Sequence, residues 1–108
     1  MNTSGWIRGM IAKNYESEDF LLFVGEGIER QLLEWDGNYA VNIMKLADYH
    51  FNVRLEETYY ETVISERRIA ELQATGPFAL DAEIWNGLVQ DGLSIVKGYG
   101  NYLEYVGL

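Results

Sequence analysis

The apolar positions of this chain change their period along its length. Trp6, Ile7, Met10 and Ile11 recur at helical spacing behind Ser4, a residue suited to an N-cap, and predict a short helix over residues 5–14. Residues 17–36 support two readings. On a helix, Phe20, Phe23, Val24, Ile28, Gln31, Leu32 and Trp35 form one stripe and Gly37 follows its end. Gly25 and Gly27 oppose that reading, because each glycine inside a helix costs about 1 kcal/mol. As strands, Phe20–Val24 is a short buried run, Gly25-Glu26-Gly27 is a turn and Ile28–Trp35 is a second strand. Asp36-Gly37 is then a two-residue hairpin turn. The strand reading is the expectation carried forward.

Asn38–Leu46 extends this meander. Tyr39, Val41 and Ile43 face one side, and Ala40, Asn42, Met44 and Leu46 face the other. A helix through Asn38–His50 is the alternative. Phe51–Ile64 alternates most clearly. Phe51, Val53, Leu55, Tyr59 and Val63 oppose Asn52, Arg54, Glu56, Tyr60 and Thr62. The run fits one bent strand, or two joined near Glu57-Thr58.

Two helices follow. Ser65 caps one over Glu66–Ala74, with Ile64 and Ile69 in staple positions and Gly76-Pro77 beyond its end. Asp81 caps the next, with Leu80 and Trp85 as its staple, a stripe of Ile84, Trp85, Leu88 and Val89, and Asp91-Gly92 at its close. Leu93–Lys97 and Tyr102–Val106 flank a glycine-rich turn and predict a terminal hairpin. The predicted fold is α+β, in one globular domain over residues 1–108. An antiparallel sheet, a meander plus the C-terminal hairpin, carries two or three helices on one face.

Composition changes this picture mainly through charge. The 108 residues hold 17 acids against 8 Lys and Arg, a net charge of −9 with the single histidine neutral. Residues 16–36 hold seven of the acids (Glu16, Glu18, Asp19, Glu26, Glu29, Glu34, Asp36) against Arg30. They follow a segment whose only charges are Arg8 and Lys13. Nucleic acid is an unexpected partner, because phosphate binding depends on Lys and Arg. A hydrophobic share of 48% excludes a disordered acidic tail. The absence of cysteine excludes disulfides and Cys-ligated zinc and fits the cytoplasm. The longest aliphatic-aromatic run, Phe20–Val24, falls far short of the about 20 residues of a membrane span. The apolar, basic residues 6–13 are too short and too weakly charged for an interfacial membrane helix.

Candidate chemistry is sparse. Gly25-Glu26-Gly27-Ile28-Glu29-Arg30 begins like a phosphate-binding loop, but its third glycine is replaced by Arg30 and glutamates stand where positive potential is needed. His50 lies near Asp48, a pairing suited to a general base, yet no nucleophile accompanies it. Glu57 and Glu61 would share one strand face opposite Glu56, a weak echo of a glycosidase pair. Arg67 and Arg68, beside Glu66, sit unfavourably at a helix N-terminus. Tyr99, Tyr102 and Tyr105 crowd the C-terminal segment, either as core or as interface.

The leading expectation is therefore a non-enzymatic binding protein of inhibitor, immunity or mimic type. It would act on a basic protein through Glu26, Glu29, Glu34, Asp36, Tyr99, Tyr102 and Tyr105, without a cofactor, metal, membrane or nucleic acid. A homodimer would form through the C-terminal hairpin edge. The alternative is a small-ligand domain with an aromatic-lined pocket between sheet and helices. An enzyme built on His50 or Glu56, Glu57 and Glu61 ranks third.

Overall fold

The computed structural model describes residues 15–96 and 101–108. The helix predicted for residues 5–14, and Tyr99, lie outside them. Among the described residues the fold is α+β, as expected, with helices on one face of an antiparallel sheet.

Residues Ser17–Trp35 form one helix, α1, and not a hairpin. Its stripe carries Phe20, Leu21, Val24, Ile28 and Leu32 into the core, all fully buried. Burying such side chains contributes roughly 1.5–3 kcal/mol each, which outweighs two internal glycines at about 1 kcal/mol apiece. Gly25 also has a packing reason. A Cβ there would lie 2.8 Å from Ile43 Cδ1 and 3.3 Å from Phe51 Cε2, so its absence lets the helix sit close to the sheet. Glu18 and Asp19 place negative charge in the first turn, where the helix dipole favours it. Asp36-Gly37 does reverse the chain, but from helix to strand. Asn38 N–H donates to Asp36 Oδ1 at 2.9 Å, and Tyr39 N–H donates to the Asp36 carbonyl at 3.2 Å.

Three strands follow: β1 (Tyr39–Lys45), β2 (Tyr49–Leu55) and β3 (Thr58–Ile64), in the antiparallel order β1-β2-β3. Leu55 pairs with Thr58, so Glu56 and Glu57 alone form the hairpin turn. This turn overturns the expected alternation beyond residue 55. Two turn residues return the chain with its parity reversed. Tyr60, Thr62 and Ile64 therefore join Phe51, Val53 and Tyr49 on the inner side, while Tyr59 and Val63 face outward. Glu56 sits at φ 55°, where a side chain is strained and glycine is not. We expect Glu56→Gly to raise stability by about 0.5 kcal/mol, the relief of left-handed strain less the entropy glycine adds to the unfolded chain. Urea denaturation checks this.

Helix α2 (Glu66–Thr75) keeps its predicted cap, with Ser65 Oγ accepting from Arg68 N–H at 3.0 Å. Helix α3 (Ala79–Gln90) begins earlier than expected. Its N-cap is Phe78, without a side-chain cap, and Asp81 lies inside the first turn. Burial decides this start. Phe78 packs in the core against Tyr102 and stacks on Tyr105, with centroids 6.5 and 5.5 Å away.

The terminal hairpin does not form. Residues Tyr102–Val106 are a short helix, α4, with Tyr102, Leu103 and Val106 buried at helical spacing and Gly107 closing it at φ 90°. The edge expected to form a homodimer is thus absent from this segment. Helix α1 packs on β1 and α3 on β3, while α2 bridges α1 and α3. Phe20, Val24, Ile28, Phe51, Val53 and Trp85 fill the space between the layers. No described helix is long and apolar enough to cross a membrane.

Candidate interaction surface

The solvent side of α1 is where the acidic sequence acquires a shape. Asp19, Leu22, Glu26, Glu29 and Leu33 recur at i, i+3, i+7, i+10 and i+14, so they share one face. Leu22 and Leu33 are 46% and 43% exposed, Asp19 and Glu26 are exposed, and Glu29 is half-buried. The result is a ridge of carboxylates interrupted by two uncovered leucines. The helical period brings Glu26 and Glu29 together, where a hairpin would have set them on opposite faces.

Two depressions flank the ridge. One, of about 460 Å3, is lined by Tyr15, Glu16, Asp19, Leu22, Phe23 and Glu26. The other, of about 290 Å3, lies between α1 and β1 and is lined by Leu22, Gly25, Glu26, Glu29, Val41, Asn42 and Ile43. Neither lining includes a lysine or arginine.

The second depression opens onto a sheet edge. The β3 edge is closed by a side chain, since Glu61 N–H donates to Asp91 Oδ2 at 2.7 Å. That bond fixes the direction of the whole ladder, because successive residues of an antiparallel strand point their backbone groups to opposite sides. Glu61 points out of β3. Its partner Asn52 therefore points toward β1, and Asn42, paired with Asn52, points back toward β2. Val41 and Ile43, one residue either side of Asn42, direct their amides and carbonyls out of the sheet. Tyr39 shares their parity, and its amide does turn outward, to Asp36. Among the described residues no strand pairs with this edge.

The sheet face away from the helices is open. The register aligns Met44 with His50 and Val63, Asn42 with Asn52 and Glu61, and Ala40 with Arg54 and Tyr59. A depression of about 360 Å3 lies over Ala40, Asn42, Asn52, Arg54 and Tyr59. His50 Nδ1 stands 3.4 Å from Glu61 Oε2 on this face. The partner of His50 is thus Glu61, while Asp48 sits exposed in the β1–β2 connection. Glu56 and Glu57 occupy the turn, so the expected carboxylate grouping is dispersed. Among the described residues no group of three or more His, Asp or Glu could hold a metal ion.

The remaining sequence candidates have structural positions. Gln31 Nε2 donates to Glu34 Oε2 at 3.2 Å, off the ridge. Asp36 carries the turn before β1, and burial, together with Tyr60 and Asp36, pushes the Tyr39 hydroxyl above its ordinary pKa. Tyr102 is 1% exposed and belongs to the core, whereas Tyr105 is 48% exposed and stacks on Phe78. The glycines of Gly25-Glu26-Gly27 lie within α1, not in a turn or a phosphate loop. Leu22, Leu33 and the Val41–Ile43 edge were not singled out by sequence. Leu22 and Leu33 could have been found on the helical reading of residues 17–36, where they fall among the acids.

Arg68 is not a free cation. Its Nε donates to Glu83 Oε2 at 2.7 Å and its second guanidinium nitrogen to Oε1 at 3.0 Å. The Arg68 hydrogen bonds hold the Glu83 carboxyl below its ordinary range, against an opposing push from burial. A carboxylate with a lowered folded pKa contributes stability above its unfolded pKa and loses it as pH falls through the folded value. The stability gap between wild type and Glu83→Gln is therefore expected to be constant at neutral pH and to close on acidification below the ordinary glutamate range. Urea melts at several pH values check this. The gap is small, as for other solvent-exposed pairs.

Comparison with protein-family models, curated proteins and solved structures returns no match for this chain.

Proposed function

We propose that this is a non-enzymatic binding protein that engages a basic partner through the outer face of α1. The observation that carries the reading is the ridge itself. Asp19, Glu26 and Glu29 share it with the uncovered Leu22 and Leu33. A charged ridge accelerates encounter with an opposite charge, and apolar positions within it supply the buried area that holds the complex. The absence of cysteine fits a reducing compartment such as the cytosol.

A matched-charge comparison tests this. Affinity for poly-lysine of defined length is measured at low and moderate salt. Glu26→Gln/Glu29→Gln and Glu57→Gln/Glu104→Gln change the net charge equally, but only the first pair alters the ridge. Loss confined to the first pair supports the reading. Equal loss from both pairs would reduce the interaction to net charge and overturn it.

A further inference from the structure

Building on the proposed ridge, we infer that the cleft between α1 and β1 receives an extended basic segment, which adds to the sheet as a fourth strand beside β1. This rests on the binding reading above and specifies its mode. Two features of the cleft converge on it.

The first is the state of the two sheet edges. An uncovered edge presents a row of backbone donors and acceptors that readily template another strand, and proteins commonly block it. Here β3 is blocked by the Asp91 carboxylate on the Glu61 amide. The amides and carbonyls of Val41 and Ile43 have no such cover among the described residues. Strand addition is a general mode of peptide recognition in which these groups supply affinity and side-chain sites supply selectivity.

The second is charge. The helix wall of the cleft presents Glu26 and Glu29. A strand laid along β1 alternates its side chains between the helix side and the open sheet face. Side chains on the helix side meet Glu26, Glu29 and the exposed Leu22, so basic residues at alternate positions complement this wall. The same charge disfavours a second copy of this chain, whose own Glu26 and Glu29 would approach the first pair.

The probe is a fluorescently labelled peptide of alternating lysine and valine, compared with two versions N-methylated at the lysines or at the valines. The expected result is binding by the parent and a loss of about tenfold or more in at least one methylated version, as for the removal of two or more backbone hydrogen bonds. On the protein side, Val41→Pro deletes an outward amide without removing a bond to β2, and is expected to cause a similar loss with the strand signal retained in circular dichroism. The methylated peptides keep the test decisive should that variant fold poorly.

Equal binding by all three peptides overturns strand addition. So does an absence of peptide binding while ridge-dependent poly-lysine binding persists, an outcome that leaves the binding reading intact. Loss of both interactions overturns both readings. A dimer in sedimentation that Val41→Pro abolishes would give the edge to a second copy and overturn the basic-segment assignment.

Discussion

Gly87→Ala is expected to lower stability by roughly 2 kcal/mol, although alanine is the better helix former by about 1 kcal/mol. The reason lies across the interface from α3. A Cβ at residue 87 would overlap Thr62 Oγ1 and stand 2.7 Å from Thr62 Cβ. Thr62 is paired with Phe51 in the centre of β2 and β3, so its Cβ moves only if the strand moves. Overpacking of this kind typically costs 1–3 kcal/mol, more than the propensity gained. Chemical denaturation measures the effect. Thr62→Ala in the Gly87→Ala background should recover part of it, because the hydroxyl is removed and the Cβ remains. Additive effects of the two substitutions would show that the helix relaxes away from the strand. Gly25→Ala should be milder. Its closest contact is the terminal methyl of Ile43, which can rotate aside.

Tyr102→Phe is the second large effect, an expected loss of about 2–3 kcal/mol. Asp81 is fully buried in the first turn of α3. The Tyr102 hydroxyl donates to Asp81 Oδ2 at 2.5 Å and accepts from Trp85 Nε1 at 3.1 Å. A fully buried carboxyl needs hydrogen-bond partners for its oxygens. Removing one oxygen takes a donor from Asp81 and an acceptor from Trp85 while leaving both in place. A buried polar group that loses its partner costs about 1–3 kcal/mol, and the substitution takes one bond from Asp81 and the acceptor from the Trp85 indole N–H. Asp81→Asn should be less damaging, since an amide oxygen still accepts from Tyr102. Stability melts of the two variants give the comparison. A Tyr102→Phe loss below about 0.5 kcal/mol would mean that water or a rotated side chain replaces the hydroxyl.

Parts of this fold were legible because the physics was local. Ser65 lies next to the helix it caps, and its oxygen reaches Arg68 N–H within one turn. The alternation of Asn38–Leu46 and of the run from Phe51 to Leu55 reads directly as strand, and β1 and β2 cover those stretches. Errors arose where local signals were answered by distant residues. Gly25 and Gly27 looked like a turn, yet Gly25 exists for Ile43 and Phe51. Asp81 resembled a cap, yet its carboxylate serves Tyr102. The terminal tyrosines resembled a strand, yet helical spacing buries Tyr102 and Val106 together.

The candidate surface divides along the same line. The acid excess of residues 16–36 is a property of the chain in any conformation, and it sets the sign of the charge a partner should carry. Secondary-structure period then decides which carboxylates are neighbours. The stripe of Phe20, Val24, Ile28 and Leu32 favours a helix only because a sheet is there to bury it, and that helix joins Glu26 to Glu29. The edge of β1 that no described strand pairs with is not written in any single segment. It depends on the strand order, on the register that turns Val41 and Ile43 outward, and on Asp91 reaching the other edge from the end of α3. Composition and local spacing are sums over neighbours in the chain, whereas an edge, a cleft and a close approach are relations between segments that meet only once the core has formed.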